Sequence, residues 1–286
     1  MSAIWRGYDQ AALNAQFTLD TVRDREAIFA RRLEASRQAR ADFLHRTGIA
    51  YGPGPADKLD LFPAAKPGAP ILMYIHGGFW RSLDAATFSF MAQGFVPAGA
   101  TVAVIDYPLI PSVTLPQIAA SCRRAVAWLT KNAASFGASP DRLFVAGNSA
   151  GGHLATVLAD RAWPAEHGLP ADVVKGACAI SGIFELAPIR LCHEQEVLRL
   201  TPEHVAEMSP ARHIPRAAAP TVFAVGGDET AEFLDQNREI VVAWKNAGLD
   251  AVEQVVPERN HVTVVIDAFG QEGHGFNAAM RRMMGL

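Results

Sequence analysis

Gly147-Asn148-Ser149-Ala150-Gly151 follows the apolar run Leu143-Phe144-Val145-Ala146. A G-x-S-x-G at the end of a predicted strand lets the chain turn sharply into a helix with a serine at the apex. The backbone of such a turn comes close to its neighbours, so the positions two before and two after the serine are glycine. The hydroxyl is then pushed out to where a base can reach it, which makes Ser149 the candidate nucleophile. Taken alone, the pentapeptide reads equally well as a glycine-rich strand-to-helix turn. The other parts that a serine nucleophile needs must therefore be found elsewhere.

A serine hydroxyl is a weak nucleophile at neutral pH. It needs a base to take its proton, a third group to orient that base, and donors for a developing oxyanion. Donors are offered by His76-Gly77-Gly78-Phe79-Trp80, which follows the apolar run ending at Ile75. Adjacent glycines let main-chain N–H groups turn toward one point, so Gly77, Gly78 and Ala150 are expected to form the oxyanion hole. Phe79 is the alternative donor, and a plain tight turn is the structural alternative. His76 is read as holding its own loop by hydrogen bonds. Asp228, in Gly226-Gly227-Asp228-Glu229-Thr230 after the apolar run 221–225, is the expected orienting acid. An N-cap role is its structural alternative, and Glu229 is the fallback acid. His261 lies in the loop after the last apolar run, 251–256, where the chain order Ser, Asp, His places the base. His274 is its rival, and His153 is expected to pack inside the helix that follows Ser149.

These residues must be positioned by the rest of the 286-residue chain. Short apolar runs at 71–75, 101–105, 143–146, 173–180, 221–225 and 251–256 alternate with helical stretches at 85–96, 115–136, 152–161, 230–247 and 276–284. That alternation predicts an α/β fold with a mainly parallel sheet covered on both faces. Function in such sheets sits at the carboxyl ends of the strands. Lys58 to Phe62 is expected to be an edge strand. Residues 8–46 read as one or two amphipathic N-terminal helices, with Arg31-Arg32 and the charges of 37–40 on a solvated face. Residues 183–219, broken by several prolines, read as a small lid-like insertion. The whole forms a single domain, 1–286.

Composition narrows the partners. The net charge is −3 with no basic patch, which argues against nucleic acid. Three widely separated cysteines fit a reducing compartment and suit neither a disulfide framework nor a zinc site. Met1 to Gln10 lacks the apolar core of a signal peptide, and no apolar stretch is long enough to span a membrane. A cytoplasmic protein acting on a small molecule is expected, with no metal or organic cofactor. The sequence leaves homodimer formation open.

Together, His-Gly-Gly-Phe-Trp (76–80), Gly-Asn-Ser-Ala-Gly-Gly-His (147–153), Gly-Gly-Asp-Glu-Thr (226–230) and Asn260-His261 resemble the α/β-hydrolase superfamily. Within it the chain is similar to the arylformamidase (kynurenine formamidase-like) branch, near the hormone-sensitive-lipase-type esterases. The segments 80–84, 106–111 and 181–186 carry that likeness further. The resemblance implies an α/β-hydrolase fold and acyl transfer to water. Ser149, His261 and Asp228 would form the triad, and the substrate would be a carboxylic ester or an aryl formamide. A general short-chain carboxylesterase and a non-catalytic binding protein on the same fold are the competing readings. Phe79, Trp80 and Phe184 are expected to line the substrate pocket. One departure stands out. Family members tend to carry Tyr-x-Asn-Asp before a Leu-x-Leu step, and here His193-Glu194-Gln195-Glu196 precedes Leu198-Arg199-Leu200. If that segment touches substrate, the pocket is chemically different.

Overall fold

A computed structural model describes residues 3–20 and 22–286. The expectation about a leader in Met1–Gln10 falls partly on Met1 and Ser2, outside the described residues.

Eight strands form one sheet in the order β1-β2-β4-β3-β5-β6-β7-β8. They are β1 (Arg46–Ala50), β2 (Lys58–Phe62), β3 (Ala69–Ile75), β4 (Thr101–Ile105), β5 (Ala138–Asn148), β6 (Val174–Ile180), β7 (Thr221–Gly226) and β8 (Ala251–Val256). The β1–β2 and β2–β4 ladders are antiparallel, and every ladder from β4 to β8 is parallel. Lys58–Phe62 is thus the second strand, not the edge. The edge is β1, whose mostly exposed Arg-Thr-Gly-Ile-Ala carries no apolar run to reveal it.

The inner strands are buried on both sides, as their continuous apolar runs require. Ile71, Met73 and Ile75 of β3 face one core, while Leu72 and Tyr74 face the other. The first core is closed by α1 (Gln10–Gln16), α4 (Leu115–Asn132), α5 (Ala150–Ala159) and α9 (Ala231–Asn246). The second is closed by α2 (Arg25–Asp42), α3 (Met91–Phe95) and α10 (Gly275–Met283). The insertion at 183–219 folds as three short helices, α6 (Ala187–Leu191), α7 (Gln195–Leu198) and α8 (Pro202–Met208). No helix among the described residues is long and apolar enough to cross a membrane.

The glycines flanking Ser149 are needed for contact, not for conformational freedom. A Cβ at Gly151 would fall on the Ile75 carbonyl and within 2.8 Å of the His76 oxygen. One at Gly147 would fall on the Gly151 carbonyl and 2.8 Å from the Ile75 oxygen. Both obstacles are backbone at the centre of the sheet and cannot swing aside. Gly151→Ala is expected to destabilise the fold by about 3 kcal/mol. Gly275→Ala, where a Cβ meets nothing within 4 Å, is expected to be neutral or slightly stabilising. Urea unfolding of the two variants checks the contrast.

Candidate active site

Strand β5 ends at Asn148, and α5 begins at Ala150. Ser149 between them has φ 56 and ψ −120, a conformation non-glycine residues rarely adopt. Its N–H donates to the Ile180 carbonyl at 2.8 Å, and its own carbonyl accepts from His153 at 3.0 Å. The turn is therefore clamped to β6 on one side and to the first turn of α5 on the other. Parallel pairing of β5 with β3 and β6 supports it from below.

His261 sits in the loop after β8, and its Nδ1 is 2.6 Å from Oε2 of Glu229. The Glu229 side chain is fully buried. Its other oxygen accepts from the Gly226 N–H at 2.7 Å and from the Ser181 hydroxyl. Every lone-pair direction that matters is thus occupied by a donor, and the imidazole is held in one orientation. The Phe233 ring, 4.4 Å away by centroid, closes one side of the imidazole. Nε2 is left as the ring nitrogen without a hydrogen-bond partner among the described residues.

The carboxylate that meets His261 is Glu229, not the expected Asp228. Asp228 is exposed and makes no side-chain hydrogen bond among the described residues, while its N–H donates to the Arg259 carbonyl at 3.0 Å. The turn after β7 points residue 228 toward solvent and residue 229 inward. Asp228 does not cap α9 either, since the N-cap there is Thr230. The rival base His274 is also accounted for. It is the N-cap of α10, its Nδ1 accepting from the Phe276 N–H at 3.1 Å.

The loop after β3 carries Gly77 and Gly78 up against the elbow. A Cβ at Gly77 would come within 2.9 Å of Asn148 and 3.1 Å of the Ser149 Cβ. Gly78, Phe79 and Trp80 all have positive φ (102, 48 and 55). The Gly78 carbonyl is turned back to accept from the N–H groups of Arg81 and Ser82 at 3.0 and 3.1 Å. The N–H groups of Gly78, Phe79 and Ala150 donate to no acceptor among the described residues. For Ala150 this follows from its place as the first residue of α5.

His76 acts within its loop, as its burial requires. Its Nδ1 is 2.8 Å from the Gly77 oxygen, and its ring stacks 4.3 Å from Tyr107. The Tyr107 hydroxyl donates to the His76 carbonyl at 2.9 Å. His153 is fully buried at the start of α5, with Nε2 2.7 Å from the Met208 carbonyl. It ties the helix after the elbow to the insertion. Burial lowers both imidazoles from 6.5 to about 4. Between those values the unfolded chain binds protons that the fold refuses. Stability is therefore full above about pH 6.5 and declines as the pH falls toward 4. Urea midpoints measured across that range should fall with pH, and less steeply in His153→Gln.

Ser149, Asn148, Gly78, Phe79, Glu229 and His261 line one cavity of about 660 Å³. That is a usual size for a small-molecule site. Its roof comes mainly from the N-terminal segment, including Phe17, Leu19, Val22, Phe29 and Arg32. The insertion at 183–219 contributes only His193 and Glu194, and Glu194 holds Arg81 through two contacts of 2.7 and 3.0 Å. The expected lid is thus a wall, and the cover is the described part of the α1–α2 linker with Arg25, Phe29 and Arg32 of α2. Of the three expected pocket residues, only Phe79 lines the cavity. Trp80 is fully buried with its ring edge-on to His153 at 5.1 Å. Phe184 is fully buried against Phe223 at 5.3 Å. The other phenylalanines that reach the cavity, Phe17, Phe29, Phe88, Phe90 and Phe233, carry no sequence motif. Their helical spacing marks them only as apolar.

The sheet order, the strained serine and the cavity at the carboxyl ends of the strands are those of the α/β-hydrolase fold. The family model of that fold matches residues 72–209. The chain is 28% identical to kynurenine formamidase of Danio rerio over 83% of this chain and 81% of the relative. It is 27% identical to esterase LipQ of Mycobacterium tuberculosis over 74% of this chain and 56% of the relative. A solved protein from Silicibacter sp. TM1040 superposes with a TM-score of 0.82 over 96% of this chain and 99% of its own, at 24% identity.

Proposed function

We propose that the chain hydrolyses an aryl formamide through a serine nucleophile and an acyl-enzyme. The observation that carries this reading is the strained Ser149, which shares one cavity with a His261 oriented by a buried carboxylate. Ser149 Oγ attacks the carbonyl carbon while His261 Nε2 takes the hydroxyl proton. Glu229 fixes the tautomer that leaves Nε2 basic and stabilises the imidazolium. The N–H groups of Gly78 and Ala150 receive the oxyanion, with Gly77 or Phe79 completing the set. Collapse of the tetrahedral intermediate breaks the C–N bond, and the imidazolium protonates the departing arylamine. Water, deprotonated by His261, then attacks the acyl-enzyme and releases the acid and Ser149.

The formamide preference is supported by the similarity to the Danio rerio kynurenine formamidase and by the aromatic lining of the cavity. The similarity to a mycobacterial esterase supports a second reading, short-chain ester hydrolysis by the same residues. Turnover of N-formylkynurenine and other aryl formamides, set against p-nitrophenyl esters of increasing acyl length, separates them. Formamides are expected to have the higher kcat/KM. Preference for esters, with formamides unreacted, supports the second reading.

A further inference from the structure

Arg32 departs most from what its sequence context predicts. It was expected on a solvated face of α2, and instead it is only 9% exposed and lines the catalytic cavity. Its guanidinium lies between two aromatic faces, with its carbon 5.0 Å from the Phe29 centroid and 4.9 Å from that of Phe88. Among the described residues it makes no ion pair, and its Nε is enclosed without an acceptor. The two terminal nitrogens donate to no acceptor among the described residues and, unlike Nε, are not enclosed.

The other charges around the cavity are already satisfied. Arg81 is held by Glu194, Arg25 by Asp20, and Glu229 by His261. Arg23 and Asp228 are exposed. Asp84, the carboxylate whose charge acts on Arg32, is exposed and accepts from the Thr87 N–H at 2.9 Å. Arg32 is therefore the one buried cation of the described lining that lacks a counter-ion. Enclosing a guanidinium without a partner is costly, and a fold keeps such a group where something else neutralises it. Aromatic faces hold the planar fork in place without using its terminal donors. Two parallel N–H groups match the two oxygens of a carboxylate.

We propose that Arg32 is a carboxylate subsite, which selects substrates carrying an anionic carboxylate away from the scissile carbonyl. This rests on the catalytic reading of Ser149, because the carboxylate is placed on the molecule that Ser149 attacks. It makes the N-terminal cover a specificity element as well as a roof.

The test compares an aryl formamide bearing a side-chain carboxylate with the same compound as its carboxamide. Wild-type enzyme is expected to favour the acid by about ten- to a hundredfold in KM, the range for a charge-assisted pair. In Arg32→Gln the acid-to-amide ratio should collapse toward one, and Arg32→Lys should retain part of it. Equal KM values in the wild type, or an unchanged ratio in Arg32→Gln, would overturn the proposal and leave Arg32 as packing alone. Inhibition or thermal-shift binding of phenylpropionate against phenylpropionamide gives the same comparison without turnover. If neither formamide reacts but phenylpropionate binds selectively through Arg32, the formamide reading fails and the subsite stands.

Discussion

Glu229→Gln is expected to lower kcat by about 10⁴-fold, the loss seen when the acid of a triad becomes an amide. The geometry gives the reason. Glu229 presents Oε2 to Nδ1 of His261 while its other oxygen is fixed by Gly226 and Ser181. With those two donors still claiming the amide oxygen, the amide NH₂ turns toward the imidazole. Nδ1 then becomes an acceptor, the proton moves to Nε2, and the nitrogen facing the cavity can no longer take a proton from Ser149. Asp228→Asn, one residue away, should cost less than about tenfold, because an exposed side chain with no partner has little to lose. Steady-state kinetics on both variants, with thermal unfolding as a control for folding, makes the comparison. Similar losses in the two would return the acid to residue 228 or divide the role.

Ser149→Ala should remove about 10⁶-fold of kcat, since without the hydroxyl there is no covalent path. The variant should fold at least as well as the parent. Ser149 is 4% exposed, its strained backbone is set by Gly147, Gly151 and the Ile180 carbonyl, and its side chain makes no hydrogen bond among the described residues. A large loss of activity without loss of stability separates a nucleophile from a structural serine. Whatever turnover remains would come from binding and the oxyanion donors acting on water.

The two losses depend on parts that were unequally legible in the sequence. The elbow could be read because a close backbone approach permits only glycine, so sterics leave a mark at fixed spacing. His261 could be read because chain order and the last apolar run locate its loop. The choice between Asp228 and Glu229 could not. Both are carboxylates in one tight turn, and which one points inward depends on the dihedral angles of Gly226 to Asp228, which no residue type there specifies. Strand β1 was hidden because it is exposed, with no alternation to detect. The cavity wall is illegible in the sequence for a related reason. Trp80 and Phe184 look like pocket aromatics by their neighbours in sequence, yet both fill the core beneath the site. The residues that roof the cavity come from a segment whose helical pattern predicts burial without saying against what. Arg32 is the sharpest case, since a basic residue on an amphipathic helix ordinarily reads as solvated.

Hydrolysis through an acyl-enzyme requires Ser149 to form a covalent bond. Wild-type protein treated with a fluorophosphonate probe and mapped by peptide mass spectrometry tests this most directly. The label should sit on Ser149, and both label and hydrolytic activity should vanish in Ser149→Ala. A label on another residue, or turnover that survives in Ser149→Ala, would contradict it.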